Sequence, residues 1–226
     1  MDNQYLKFLE TLSQNNNKAW MDANRDWYLK IKENLLGDVE ILLNGISQWE
    51  PELSGFKAKD CVFRQNRDVR FSANKDPYKT NLAAYFSVGG KKSSGPGYYL
   101  HIQPGQSFIA GGIWMPPADV LKKIRQEIDY SGKELQAILE EPKFKATFGG
   151  MQGETLKTSP KGYESDHPHI DLLRFKSFIV STPLKDSMVI DGTFKNYTVE
   201  AFRQMKPFHD FLNKATEEVD DGEGLL

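Results

Sequence analysis

The chain has 226 residues, 39% of them hydrophobic and 12% aromatic, which is enough apolar material for a substantial core. Its formal net charge of −2 gives no overall pull toward nucleic acid or an anionic membrane, so any electrostatic attraction must come from a patch. No apolar run reaches the roughly 18 residues of a membrane span, residues 1–5 lack the basic-then-apolar start of a signal peptide, and the single cysteine, Cys61, leaves no intrachain disulfide or thiol-based metal site, so the expected compartment is the cytoplasm.

Helical spacing of Tyr5, Phe8, Leu9 and Leu12 predicts a first helix; Asn15, Asn16 and Asn17 then break the pattern and can cap a second helix carrying Trp20, Trp27, Ile31, Leu35, Leu42 and Ile46. Their aromatic stripe reads as core, because an amphipathic helix docks through such a stripe. Trp49, Glu50 and Pro51 end this helical part, about residues 3–50. From about 61 to 115 the pattern changes to short alternating or β-branched runs between turns. It predicts strands over 61–71, 82–88, 98–103 and 107–115, with Pro104, Gly105 and Gln106 closing the last two into an antiparallel hairpin. The loop over 89–97 is basic, but its glycines and lysines lack the spacing of a phosphate-binding P-loop. Gly111 and Gly112 read as a strand end that lets another backbone approach.

Beyond Pro116 and Pro117, Val120, Leu121, Ile124 and Ile128 mark a helix and residues 133–139 a second run. Pro168 suits the first position of a helix over 168–175, and a strand over 178–181 and a helix over 199–215 follow. The acidic tail, 217–226, reads as a frayed end. No repeat and no linker divides the chain. The expected architecture is a single α+β domain over 1–226, an antiparallel sheet flanked by N-terminal and C-terminal helices.

The most informative stretch is 57–79. Lys57, Lys59, Arg64, Arg67, Arg70, Lys75 and Lys79 stand against Asp60, Asp68 and Asp76, a charge of +4 within a chain of −2. On a continuous strand the two-residue period puts Cys61, Phe63, Gln65, Arg67, Val69 and Phe71 on one face and Arg64, Asp68 and Arg70 on the other, although a bulge at Asn66 would reverse the faces from Arg67 onward. Arg67, among apolar residues, then needs a carboxylate or a bound anion, since a guanidinium does not escape by losing its proton. Asp68 is placed to orient Arg64 and Arg70 and to leave their outer donors for a ligand. A turn over 74–79, fixed by Pro77, can swing Lys75 back and present Tyr78. Arg64, Arg67, Asp68, Arg70, Lys75, Tyr78 and Lys79 are therefore candidate ligand-binding residues for a small phosphate- or carboxylate-bearing molecule. The alternative is an ion network that only holds the fold.

A second block over 160–176 repeats the chemistry, with Lys161 and Arg174 as further candidate ligand-binding cations. His167 is the candidate general acid/base, its tautomer fixed by Asp166 or Asp171, and His167 with Asp166 forms the candidate catalytic pair. The bland alternative is a histidine that bonds backbone at a helix start. His167, His169 and Asp171 would share one side of an extended chain, but a helix beginning at Pro168 spreads them, so no metal site is expected. There is no nucleophile elbow, zinc-protease motif or dinucleotide fingerprint, so no cofactor is expected, and Cys61 reads as an inert core thiol.

Arg64, Arg67, Asp68, Arg70 and Phe71 spell R-x-x-R-D-x-R-F, followed by Asn74, Lys75 and Tyr78. In this the chain resembles the DUF2461 family of bacterial proteins of unknown function, whose hallmark is that stretch followed by an acidic or amide residue, a lysine and a tyrosine. The resemblance extends through residues 16–20, 160–163, 166–168 and 172–174. It implies no established activity. The residues themselves leave three readings: a pocket for a small anionic ligand, with His167 moving protons if the protein is an enzyme; a module whose patch meets nucleic acid or an acidic protein; or a structural ion network. The net charge argues against a nucleic-acid partner, and a flat stripe with exposed aromatics would argue for one.

Overall fold

The computed structural model describes residues 4–216, so the acidic tail over 217–226 lies outside the described residues. Helix α1 (Tyr5–Gln14) buries Tyr5, Phe8, Leu9 and Leu12, as its periodicity requires. Asn17 caps α2 (Lys18–Ala23), its side-chain oxygen accepting the Trp20 N–H at 2.9 Å. The expected second helix is in fact two. At Asn24 the backbone leaves helical geometry (φ −111°, ψ 24°), and the Asn24 amide donates to the Trp20 carbonyl at 2.9 Å. A side chain that competes for a helical carbonyl in this way ends α2, and α3 (Arg25–Ile46) starts afresh. Helix α3 buries Ile31, Leu35, Val39, Leu42, Leu43 and Ile46. A 3₁₀ turn at Pro51–Gly55 and the short α4 (Ala58–Cys61) follow.

The predicted strand over 61–71 does not form. Cys61 ends α4, and residues 62–67 run beside 77–84 with a bend at Gln65, through two isolated pairings, Val62 with Ala84 and Asn66 with Tyr78. Four residue steps separate the pairings on one side and six on the other, so two extra residues bulge out of the 78–84 side and no regular ladder survives. The alternation of exposure is nevertheless real: Gln65, Arg67 and Val69 are less exposed than Arg64, Asn66, Asp68 and Arg70. It stops at Phe71, which is 96% exposed rather than on the buried face.

Four antiparallel strands follow in the order β1 (Leu82–Phe86), β2 (Gly97–Ile102), β3 (Phe108–Ile113) and β4 (Phe178–Pro183). In the β1–β2 register Ala83 faces His101 and Tyr85 faces Tyr99. Tyr98, Leu100 and Ile102 are buried, while Tyr99, His101 and Gln103 on the opposite parity are partly exposed. The β2–β3 turn is the predicted one: the Gln106 N–H donates to the Gln103 carbonyl at 3.0 Å, and Gly105 supplies a φ of 67°.

The two helical runs after Pro117 are one helix, α5 (Ala118–Glu140), with a break in helical geometry at Ser131 (φ −116°, ψ 22°). Helix α6 (Pro142–Phe148) was not expected, and α7 (Ile170–Leu173) is shorter than predicted. Pro168 lies in the turn before α7, where the Ile170 N–H bonds the His167 carbonyl at 3.0 Å. Helices α8 (Asp186–Asp191) and α9 (Phe194–Thr216) complete the α+β fold, with helices on both the N-terminal and the C-terminal side of the sheet. Among the described residues no helix is long and apolar enough to cross a membrane.

The described chain divides into two compact units: residues up to Ser93 with Gly97–Gly111 and Ser181–Met205, and Ser94–Pro96 with Gly112–Val180 and the residues from Lys206 on. The first has a core of α1 and α3 side chains with Phe86, Tyr98 and Phe202, the Tyr98 and Phe202 rings 5.0 Å apart. The second is built on Ile124, Ile128, Leu135, Phe144, Phe208 and Phe211, with Phe144 and Phe208 at 6.2 Å.

Candidate functional site

Most charges of the R-x-x-R-D-x-R-F stretch brace their own loop. The Arg67 guanidinium donates to the Asp76 carbonyl at 2.9 Å and to the Ser72 hydroxyl at 3.1 Å, and its N–H reaches the Pro77 carbonyl at 2.9 Å. Of the expected carboxylate or bound anion, no carboxylate pairs with Arg67 among the described residues; a carbonyl and a hydroxyl take that place. Asp68 orients Arg70 alone, accepting from its Nε at 3.0 Å and its Nη2 at 2.7 Å, and these bonds hold the Asp68 carboxyl below the usual carboxylate range. Lys75 Nζ donates to the Val69 carbonyl at 3.1 Å, which is the predicted swing back toward the strand. Tyr78 is buried, its backbone clasped by the Asn16 side chain, which accepts its N–H at 3.1 Å and donates to its carbonyl at 2.9 Å.

Arg64 and Lys79 behave differently. The Lys79 N–H donates to the Gln65 carbonyl at 2.8 Å, and the buried Gln65 amide donates back to the Lys79 carbonyl, which fixes this residue beside the 62–67 segment. Lys79 Nζ then lies 5.2 Å from the Phe63 ring centre. Lys91, from the glycine-rich loop, lies 5.4 Å from the same ring and donates to the Val62 carbonyl at 2.8 Å. Burial, and then the like charges of Arg64 and Lys91, hold the Lys79 ammonium below its ordinary pKa. Arg64 is exposed and donates to no protein acceptor among the described residues. None of the three has an ion-pair partner among those residues. Lys91 was missed in the sequence because its loop carries no phosphate-binding spacing.

A second feature that sequence reasoning missed is the outward face of the sheet beside Phe63. The Phe63 and Tyr99 rings meet edge-on at 6.3 Å, Tyr99 and Phe108 at 5.7 Å, and His101 stacks on Phe108 at 4.7 Å and 18°. Tyr99 Oη lies 3.0 Å from His101 Nδ1 and Gln103 Oε1 lies 2.9 Å from His101 Nε2; the amide oxygen accepts, so Nε2 carries a proton, and in the neutral imidazole Nδ1 then accepts from the Tyr99 hydroxyl. Burial lowers the His101 pKa in the same sense. The signal was available: one parity of β2 carries Tyr99, His101 and then Gln103. Cys61 is buried, and burial pushes its thiol up to about 11, away from the thiolate form that a nucleophile uses.

Lys161, Asp166, His167 and Arg174 all belong to the second unit. His167 Nε2 bonds Asp129 Oδ1 on α5 at 2.9 Å, and its Nδ1 accepts the His169 N–H at 3.1 Å. The carboxylate on His167 is thus Asp129, rather than Asp166 or Asp171. Asp166 and Lys161 are exposed and bond nothing among the described residues. Asp171 pairs instead with Arg174 at 3.2 Å. His169 lies over Gly132, where an added Cβ would come within 2.4 Å of its ring, so the histidine segment packs closely on α5. Arg125 on α5 adds bonds to the carbonyls of Leu173 at 2.9 Å and Phe175 at 3.3 Å. Among the described residues no group of three His, Cys, Asp or Glu side chains is positioned to hold a metal ion.

No curated protein and no solved structure matches this chain. A family model described as a conserved hypothetical protein (DUF2461) matches residues 4–211, a span that includes every element described except the last residues of α9. With nearly the whole chain matched, including the 64–79 stretch and the histidine segment, the protein belongs to the DUF2461 family.

Proposed function

We propose that this protein binds a small anion, a phosphate- or carboxylate-bearing metabolite, at the two lysines that lie on the Phe63 ring, Lys79 and Lys91, and at Arg64, whose charge reaches Lys79. The observation that carries the reading is a group of three cations with no carboxylate paired to any of them among the described residues. Like charges gathered without a direct ion pair repel, with Asp68 acting on Arg64 only at longer range, and a bound anion removes that cost. Arg64 offers a planar fork and the two lysines offer mobile point charges, a combination suited to phosphate. A purely structural network describes the adjoining loop well, because Arg67, Arg70 and Lys75 are occupied there by Asp68, backbone carbonyls and a hydroxyl. It does not account for the two lysines on Phe63 or for the charge of Arg64 near Lys79.

Thermal unfolding in inorganic phosphate and in pyrophosphate tests this. A ligand that binds only the folded chain at a hundred times its Kd adds about 2.7 kcal/mol, so the transition rises. Arg64→Met and Lys79→Met should each remove the rise, whereas Lys143→Met, an exposed position on α6, should keep it. A rise undiminished in Lys79→Met, or none at all, contradicts the site.

One observation favours a second reading. Phe71 is 96% exposed, with the Arg70 guanidinium 5.8 Å from its ring, as suits a module that meets a nucleic acid or an acidic protein. A single-stranded oligonucleotide that binds at physiological salt and is lost in Phe71→Ser, with no effect of pyrophosphate, would put that reading first.

A further inference from the structure

Resting on the anion site just proposed, we infer that its ligand is a mononucleotide, with the phosphate among Arg64, Lys79 and Lys91 and the planar base laid on the outward face of the sheet against Tyr99 and Phe108. The two halves of such a ligand match two adjoining surfaces. Phe63, which carries both lysines, is in ring contact with Tyr99 on β2, and Tyr99 is in ring contact with Phe108 on β3, so the aromatic surface begins where the cations end. The outward face of an antiparallel sheet ordinarily carries polar and charged side chains. Here the positions of β1, β2 and β3 on the parity of Tyr99 in the first unit are the partly exposed Tyr85, Tyr99, His101 and Phe108 and the small, buried Ala83, Gly97 and Ala110, with no ionised group among them. Rings with partly exposed faces and no competing charge are what a base stacks on.

The edges of that surface are polar in a way that a base can read. Asn81 and Gln103 flank the imidazole, at 3.5 Å from Nδ1 and 2.9 Å from Nε2, so amide donors and acceptors lie beside the rings. A polymer is the less suitable occupant, since the chain is net −2 and the described residues gather three cations here, Arg64, Lys79 and Lys91.

Isothermal titration of the whole protein with inorganic phosphate, ribose 5-phosphate, AMP, UMP and a single-stranded oligothymidylate distinguishes the sources. The inference expects AMP to bind at least about tenfold more tightly than ribose 5-phosphate, the size of one stacking contact. Phe108→Leu should cost AMP about tenfold and leave ribose 5-phosphate unchanged. Equal affinity for AMP and ribose 5-phosphate overturns the inference while the anion site stands. An oligothymidylate bound more tightly than AMP overturns the mononucleotide in favour of a polymer. Loss of every ligand overturns both the inference and the anion site. The ligand series decides with the unmodified chain alone, so a Phe108→Leu protein that fails to fold leaves the test intact.

Discussion

Replacing Gly112 by alanine should destabilise the protein by about 3 kcal/mol or more, among the largest losses from a single methyl group. Gly112 lies in β3 with a φ of 118°, a conformation that L side chains rarely adopt. A Cβ built there would stand 2.0 Å from the Phe178 carbonyl oxygen on β4 and 3.0 Å from the Phe208 ring. Backbone cannot swing aside as a flexible side chain would, so the strain and the collision add. Gly105→Ala is the comparison: Gly105 also has positive φ, 67°, but nothing lies within 4 Å of its Cβ position, so its loss should stay near about 1 kcal/mol. Chemical denaturation of the two variants measures the difference. A Gly112→Ala protein as stable as Gly105→Ala would mean that β3 and β4 do not approach as described.

The second large effect is acid sensitivity centred on His209 in α9. It is 1% exposed, and burial pulls its imidazole down to about 3, with the positive Lys206 acting in the same direction. In the unfolded chain a histidine titrates near about 6.5, so between these values the unfolded state holds a proton that the folded state does not. Acid therefore favours unfolding across that window, with a slope that approaches about 1.4 kcal/mol per pH unit once the unfolded histidine is fully protonated, or about 2 kcal/mol on going from about pH 6.5 to about pH 4.5. Carboxylates add their own dependence, so the comparison is with His209→Gln, which removes the titration and keeps a polar side chain. The variant is expected to be less stable at neutral pH but to have a shallower stability profile over that window. Parallel profiles would show that His209 takes up its proton in the folded state.

The helical part of this fold was legible because its buried residues repeat at helical spacing, as in Tyr5, Phe8, Leu9 and Leu12. Local chemistry was legible too: Asn17 caps α2, Gly105 makes the hairpin turn, and Gly112 admits the backbone of Phe178. The run over 61–71 misled for a physical reason. Its alternation of exposure is genuine, but a strand also needs a regular partner, and the extra residues on the 78–84 side deny it one. Arg67 misled similarly, since charge patterning points to carboxylates and its acceptors are the Asp76 carbonyl and the Ser72 hydroxyl. Contacts far apart in the chain were not legible at all. Asp129 precedes His167 by 38 residues, and Lys91 reaches the Val62 carbonyl from 29 residues away. The candidate cations Arg64 and Lys79 could be named from composition, whereas the third member and the rings beside it required the register of β2 against β1 and the fold of the 89–97 loop.

Nuclear magnetic resonance of lysine side chains, selectively labelled and titrated in pH with and without pyrophosphate, tests the anion site most directly. In the free protein Lys79 should titrate below an ordinary lysine, because it is partly buried and sits near Arg64 and Lys91. Saturating pyrophosphate should raise that value and move the Lys79 and Lys91 signals together, while Lys75, held on the Val69 carbonyl, stays in place. A Lys79 that titrates as an ordinary lysine and ignores pyrophosphate would contradict the site.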